Sequence, residues 1–346
     1  MMHGTRGLFS TSLLVAAAAA LAAPAAAQSV ADFYKGRTIA LMMGTGPGGS
    51  YDLYGRTIAA HMSRHIPGKP TIIIEHMPGA GGAKAGNYVF SAAAQDGSKL
   101  LETHALPLVE KLRPKGVRFK SAEFQWLGAF DAIVQVMTLW HTAPAKTLAD
   151  LKTARATEVV VGSFNKTHLT YQWAMLLKST IGATYKVITG YRGGGPLNVA
   201  MEKGEISGWT ASWANLTATK AHWLRDRKVN LFVQFSLDRQ PDMPDVPTLL
   251  ELAPPDKKDV VEFITAGTPI ARAMTVGPRV PADRVAALRK AFADTMKDPA
   301  FLADAKKRKL GIHPRSAEET TALVKKIVSA SPDLVARVKT AIGSSD

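Results

Sequence analysis

The sequence contains no cysteine, which excludes disulfides, thiol nucleophiles and cysteine-ligated zinc together. After the first thirty residues no stretch offers the roughly 18 uncharged apolar residues that a membrane span requires. No Lys-Ser or Lys-Thr follows its glycine clusters, so a Walker nucleotide loop is excluded. No G-x-S-x-G elbow is present, which leaves that class of serine hydrolase unsupported. His61 and His65 stand four apart but lack the glutamate of H-E-x-x-H, and they read as two exposed helix histidines. No nucleophile–base pair, metal cluster or cofactor motif is left to read, and no enzymatic activity is expected.

What is present begins with the leader. Arg6 supplies a positive segment, "LLVAAAAALAA" from Leu13 is a short apolar run, and "PAAAQS" offers small residues for a cut after Ala27. Residues 1–27 are therefore expected to be a signal peptide and the mature chain to be periplasmic. The formal net charge of +15 would suggest nucleic acid in an intracellular protein. Export argues against that partner, and the only dense basic run, "AKKRK" from Ala305, reads as a solvated face. The positive field favours capture of anionic solutes.

Along the mature chain, apolar β-prone runs alternate with glycine turns and amphipathic helices. "RTIALMM" from Arg37 reads as a strand, "DLYGRTIAAHMSRHI" as its helix and "PTIIIEHM" as the next strand. A glycine turn and a strand at "SKLLETHA" follow, then "VQVMTLW", "EVVVGSF", a helix, another glycine turn and "VNLFVQFS". This βαβ rhythm implies α/β architecture with parallel sheets covered on both faces. The proline-rich stretch from Asp238 to Leu252 cannot continue a central strand and reads as a linker or crossover. Near the end, Val285, Leu288, Phe292 and Met296 form one buried stripe of a helix.

The strand from Arg37 leads into "GTGPGGS", where Gly44, Gly46 and Gly49 match G-x-G-x-x-G spacing. A dinucleotide reading is opposed by the expected export and by Pro47 inside the turn. The physical content remains: glycines admit close backbone approach, and the first amides of a helix have no intrahelical partner. Such a turn is either an anion site made of amides and helix dipole, or an empty tight turn. "GSFNKTHLT" places Ser163, Asn165 and Thr167 at a second strand-to-helix junction, and "GYRGGGP" adds Arg192 at a third. Each alone is an ordinary helix start; together they suggest a cleft at the carboxyl ends of parallel strands. Trp209 and Trp213 are either core aromatics or the wall of a pocket.

With these residues in place, the chain resembles extracytoplasmic solute receptors of the tripartite tricarboxylate transporter family, the Bug or TctC type. The resemblance is carried by "GPGGSYDLYGR" from Gly46, "IIIEHMPGAGGAKAGNYVFSAAAQDGSKL" from Ile72, "DVPTLLEL" from Asp245 and the terminal "VPADRVAALRKAFADTMKDPAF". It implies a type II periplasmic binding fold: two α/β domains with a ligand cleft between them, closing like a flytrap. The expected division is 29–135 plus 236–346 for one domain and 136–235 for the other. The resemblance also implies that a carboxylate is held by Gly46, Pro47, Gly48, Gly49 and Ser50. Partners to that turn would be Ser163, Asn165, Thr167 and His168 on a second loop, and Tyr191, Arg192 and Gly193 on a third. Asp52, His104 and Trp209 complete the candidate set.

Three segments depart from the family's usual pattern: "GSFNKTH" is bulkier, "GWTASWAN" replaces a Phe-Asp-Asn segment, and Arg192 stands where a lysine is common. The extra tryptophans favour a larger or aromatic acid. The expected partners are a small organic acid and membrane permease subunits, with the protein a monomer. The alternative is an exported receptor-like sensor or sequestering protein uncoupled from transport.

Overall fold

The computed structural model describes residues 1, 28–47, 50–103, 106–153, 158–164, 166, 168–191 and 193–343. The expected signal peptide lies outside these residues. Ser29 caps a short helix, α1 (Val30–Tyr34), by accepting from the Asp32 amide. The chain then runs through β1 (Thr38–Met43), α2 (Ser50–Met62), β2 (Thr71–His76), α3 (Ala83–Asn87), β3 (Lys99–Thr103), α4 (Leu106–Leu112) and β4 (Gln125–Asp131). A second run follows: β5 (Gln135–Trp140), β6 (Val160–Ser163), α5 (Leu169–Ile181), β7 (Lys186–Thr189), α6 (Gly194–Glu202), β8 (Gly208–Ser212), α7 (Trp213–Thr219), α8 (Ala221–Arg225) and β9 (Val229–Phe235). The chain returns through α9 (Leu249–Leu252), α10 (Lys258–Thr265) and β10 (Arg272–Val276), then α11 (Ala282–Thr295), α12 (Pro299–Lys307), α13 (Ala317–Val328) and α14 (Pro332–Ala341).

The strands form two five-stranded sheets, ordered β2-β1-β3-β10-β4 and β7-β6-β8-β5-β9. The orders are equivalent: β10 is inserted between β3 and β4 in the first sheet, and β5 between β8 and β9 in the second. β1 pairs in parallel with β2 and β3, and β6 with β7 and β8. The inserted strands break the expectation of purely parallel sheets. β10 runs antiparallel to β3 and β4, and β5 antiparallel to β8 and β9. Only three residues separate Asp131 from the start of β5, which lies opposite Ser212, at the carboxyl end of β8. β5 therefore passes straight into the second sheet and runs against its parallel strands.

β1 is buried from its second residue onward, as a strand covered on both faces requires. β4 and β10 were not read from the sequence. "QWLGAFD" and "RAMTV" are almost wholly buried, so they lack the period-two alternation that marks a half-exposed strand. The terminal stripe is where the sequence puts it: Val285, Leu288, Phe292 and Met296 are all buried, each worth about 1.5–3 kcal/mol of apolar transfer. Phe292 sits so close to β4 that a Cβ at Gly128, whose φ is +143°, would lie 2.4 Å from its ring.

The proline-rich return has no strand, yet it is fastened. Gln234 Nε2 donates to the carbonyls of Met243 (3.1 Å) and Val246 (2.6 Å), and its Oε1 accepts from the Gln240 amide at 2.8 Å. The basic run is solvated, with Lys306, Lys307, Arg308 and Lys309 exposed at the end of α12. His61 and His65 differ from expectation. They are largely covered and face Asp304 at 3.1 Å and Asp298 at 2.9 Å, because α12 packs against the C-terminal end of α2 and the turn after it, and Phe301 meets His61 edge-on. Among the described residues no helix is long and apolar enough to cross a membrane.

Candidate functional site

The first turn leaves β1 at Gly44, whose amide donates to the Glu102 carbonyl at 3.1 Å. His76, ending β2, donates from Nδ1 to the Thr45 carbonyl at 2.8 Å and faces Asp52 Oδ1 with Nε2 at 3.1 Å. The neighbouring strands thus hold the turn at both ends. Gly46 has open space where a Cβ would project, and Pro47 is exposed. Ser50 begins α2. Asp52 is only 7% exposed and faces His76 and Arg56, so its carboxylate links the first turn of α2 to the end of β2. Gly48, Gly49, His104, Asn165, Thr167 and Arg192 lie outside the described residues.

In the second turn, Ser163 is fully buried and its hydroxyl meets Thr170 Oγ1 at 2.8 Å. His168 is the N-cap of α5, with Nδ1 accepting from the Thr170 amide. Burial, and next the charge of Arg113, push the His168 pKa down to about 4. The imidazole is therefore neutral at pH 7, and with Nδ1 accepting, its proton resides on Nε2. The third turn is tied to the second: the Gly190 amide donates to the Phe164 carbonyl at 2.9 Å and the Tyr191 amide to that of Ser163 at 3.4 Å. Gly193 starts α6 at a φ of +138°, a conformation that suits glycine alone.

Trp209 is buried. It is 3% exposed, its ring centroid lies 6.2 Å from that of Phe164, and a Cβ at Gly194 would sit 3.1 Å from it. Phe164 in turn packs on His168 at 4.3 Å. An aromatic ladder therefore backs the second and third turns.

Two cavities flank Ile133, in the link between the sheets. One, of about 190 Å³, lies between α4 and α5 and is walled by Gly81, His168, Ala271 and a run of aliphatic side chains. It joins the turns physically: Tyr51, in the first turn of α2, donates to the Ala271 carbonyl at 2.8 Å. Gly81 belongs to the glycine turn after β2, and His168 to the second turn. The other cavity, of about 370 Å³, carries charges of both signs, including Asp131, Asp242, Lys306, Lys309 and His313.

The sequence did not single out Arg113, α4 or the 264–271 segment as parts of this region. Their signal is weak in principle, because apolar helix residues around a cavity read like any other core. Glu102 had a clearer one, a charge inside the apolar run "SKLLETHA". It is fully buried, with burial itself raising its pKa well above the ordinary value. Among the described residues no group of acidic, histidine or cysteine side chains has metal-site geometry.

Two α/β domains with this strand order, linked at the Ile133 crossing and with glycine turns at the carboxyl ends of their parallel strands, define a type II periplasmic binding protein with a ligand cleft between the domains. The chain belongs to the tripartite tricarboxylate transporter family receptors, the TctC family, whose model matches residues 55–339. It is 27% identical over 262 residues to protein BugT of Bordetella pertussis, covering 74% of this chain and 76% of that one. It superposes on a TctC solute binding protein from Polaromonas with a TM-score of 0.68 at 20% identity, covering 90% of this chain and all of the other. MatC from Rhodopseudomonas palustris, solved with bound malate, gives a TM-score of 0.62 at 21% identity, covering 86% and 99%.

Proposed function

We propose that the protein is a periplasmic receptor that captures an organic acid in its interdomain cleft and delivers it, chemically unchanged, to the permease subunits of a tripartite tricarboxylate transporter. The observation that carries this reading is the convergence of separate βα turns on one space. The Tyr51–Ala271 bond, Gly81 and His168 bring turns from both sheets to the same cavity wall. The ligand-bound relative with malate supports an acid as the ligand class.

In this reading residues 29–135 plus 236–346 and residues 136–235 are bodies that close over the ligand, and the receptor acts as a monomer. The carboxylate sits at the N-terminus of α2, held by amides of Gly48, Gly49 and Ser50 with Gly46 and Pro47 beside them. Arg192, Thr167 and His168 reach it from the other domain. An amide cradle has fixed partial charges and needs no metal or cofactor.

Calorimetry and thermal shift test this directly. An organic acid at 100 times its Kd should add about 2.7 kcal/mol to stability. Gly48→Val should abolish binding while circular dichroism stays native. Arg192→Ala should weaken binding by about 1.5–3 kcal/mol, the scale of a charge-assisted hydrogen bond. Undiminished binding by a folded Gly48→Val protein overturns the amide-cradle reading, and product release from any bound acid overturns the receptor reading.

A further inference from the structure

The cavity between α4 and α5 has a composition that narrows the ligand. Its walls are Leu108, Val109 and Leu112 from α4, Leu169 and Trp173 from α5, and Ile264 from α10. Among the described residues lining it, Arg113 is the only charged one. Its volume of about 190 Å³ is room for roughly six water-sized groups, at about 30 Å³ each. Its polar lining residues are His168 and Gln172, at one end of α5 where the cavity meets the second turn, Arg113, near enough to His168 for its charge to act on the imidazole, and Thr268.

We propose that this cavity receives the apolar body of the acid, so that the receptor selects monocarboxylates with an aliphatic chain or single ring over short dicarboxylates. The inference rests on the organic-acid reading above and adds the identity of the non-carboxylate end. A second carboxylate pushed past Arg113 and His168 among the aliphatic side chains would lose its water without donors to replace it. A methylene would gain contacts on all sides. The charged cavity on the other flank of Ile133 offers no comparable apolar wall.

The test is a calorimetric titration with two homologous series on the full mature protein: linear monocarboxylates from acetate to octanoate, and dicarboxylates from malonate to suberate. Each buried methylene should tighten monocarboxylate binding roughly fourfold until the cavity fills, and dicarboxylates of equal length should bind at least tenfold more weakly. Val109→Phe, which occupies the cavity from α4, should flatten the chain-length dependence while leaving acetate or propionate unchanged. If that variant does not fold, the wild-type series decides. Dicarboxylates binding more tightly than monocarboxylates of the same length overturn this inference and leave the organic-acid reading standing. Failure of every acid in both series, and of benzoate and phenylacetate titrated beside them, overturns both.

Discussion

The two halves of the molecule repeat one strand order but fill it with opposite chemistry. In the first half, Arg272 and Asp131 form a buried ion pair at 3.0 Å, with side chains 2% and 8% exposed. Tyr54 donates to Asp131 at 2.8 Å and lies with its ring 4.1 Å from the guanidinium carbon. Glu102 and Asp52 are buried close by. In the second half, the same level below the turns holds hydroxyls and rings. Thr138 and Thr210 donate to the carbonyls of Trp209 and Thr170, and Phe164, His168 and Trp209 stack above them. Among the described residues, the ion pairs within that half, Lys220–Glu202 and Arg225–Asp226, lie toward its surface. Topology therefore places the turns, while the filling beneath each sheet decides what a turn feels: charge and a rigid brace on one side, an apolar and aromatic back wall on the other.

The largest effect should come from breaking the charged brace. Arg272 also donates to the Ala132 carbonyl at 3.1 Å, in the link between the sheets. Arg272→Ala leaves the buried Asp131 with only Tyr54 and the exposed His313, at 3.0 Å, as partners and should cost about 3–5 kcal/mol, whereas an apolar replacement of both partners should cost less. Urea unfolding of Arg272→Ala and of the double variant Arg272→Met with Asp131→Leu measures the difference. Equal losses in the two proteins would mean that the pair contributes packing alone.

That brace shows why the sequence reveals some of the molecule and hides the rest. The glycine turns were legible because a helix start after a buried strand has few chemical solutions, and the stripe of α11 because its spacing is helical. Parallel pairing within each run was legible for the same reason. β10 was not: five residues between two helical segments, beginning with an arginine, look like a helix end. Its place depends on Asp131, 141 positions away in sequence, and no local pattern encodes such a partner. Likewise His61 and His65 look exposed until α12, more than two hundred positions on, covers them. The cavity between α4 and α5 was illegible because its walls are ordinary core residues that happen not to meet.

The next prediction sharpens the contrast through pH. Burial raises the Glu102 pKa well above its ordinary 4.5, with Arg272 opposing and Asp52 adding to the shift. The folded chain therefore keeps a proton that the unfolded chain releases as pH rises above about 4.5. Stability contributed by this group falls with rising pH until the folded pKa is passed. Glu102→Gln keeps the size and stays neutral, so it should match the wild type near pH 4 and exceed it at pH 8. Denaturation at the two pH values is the measurement, and an unchanged wild-type slope in the variant would remove Glu102 as its source.

The smallest effect belongs to the other half and has the opposite sign. His168 has an ordinary pKa of 6.5 and a folded value of about 4, through burial first and Arg113 second. Between those values the unfolded chain binds a proton that the folded chain refuses. Its contribution is complete above pH 6.5 and is lost as pH falls toward 4. Asparagine at this position still offers an N-cap acceptor to the Thr170 amide but has nothing to titrate. His168→Asn should therefore hold the helix start to within about 1 kcal/mol at pH 7, the scale of one cap, and should lose less stability than the wild type between pH 7 and 5. Combined with Glu102→Gln, it should leave a profile that is flat above neutrality, where Glu102 alone sets the wild-type slope, and little changed between pH 4.5 and 6.5, where the opposite slopes of the two groups offset one another in the wild type. A combined profile as curved as the wild type would show that the two halves do not differ electrostatically in the way their buried groups imply.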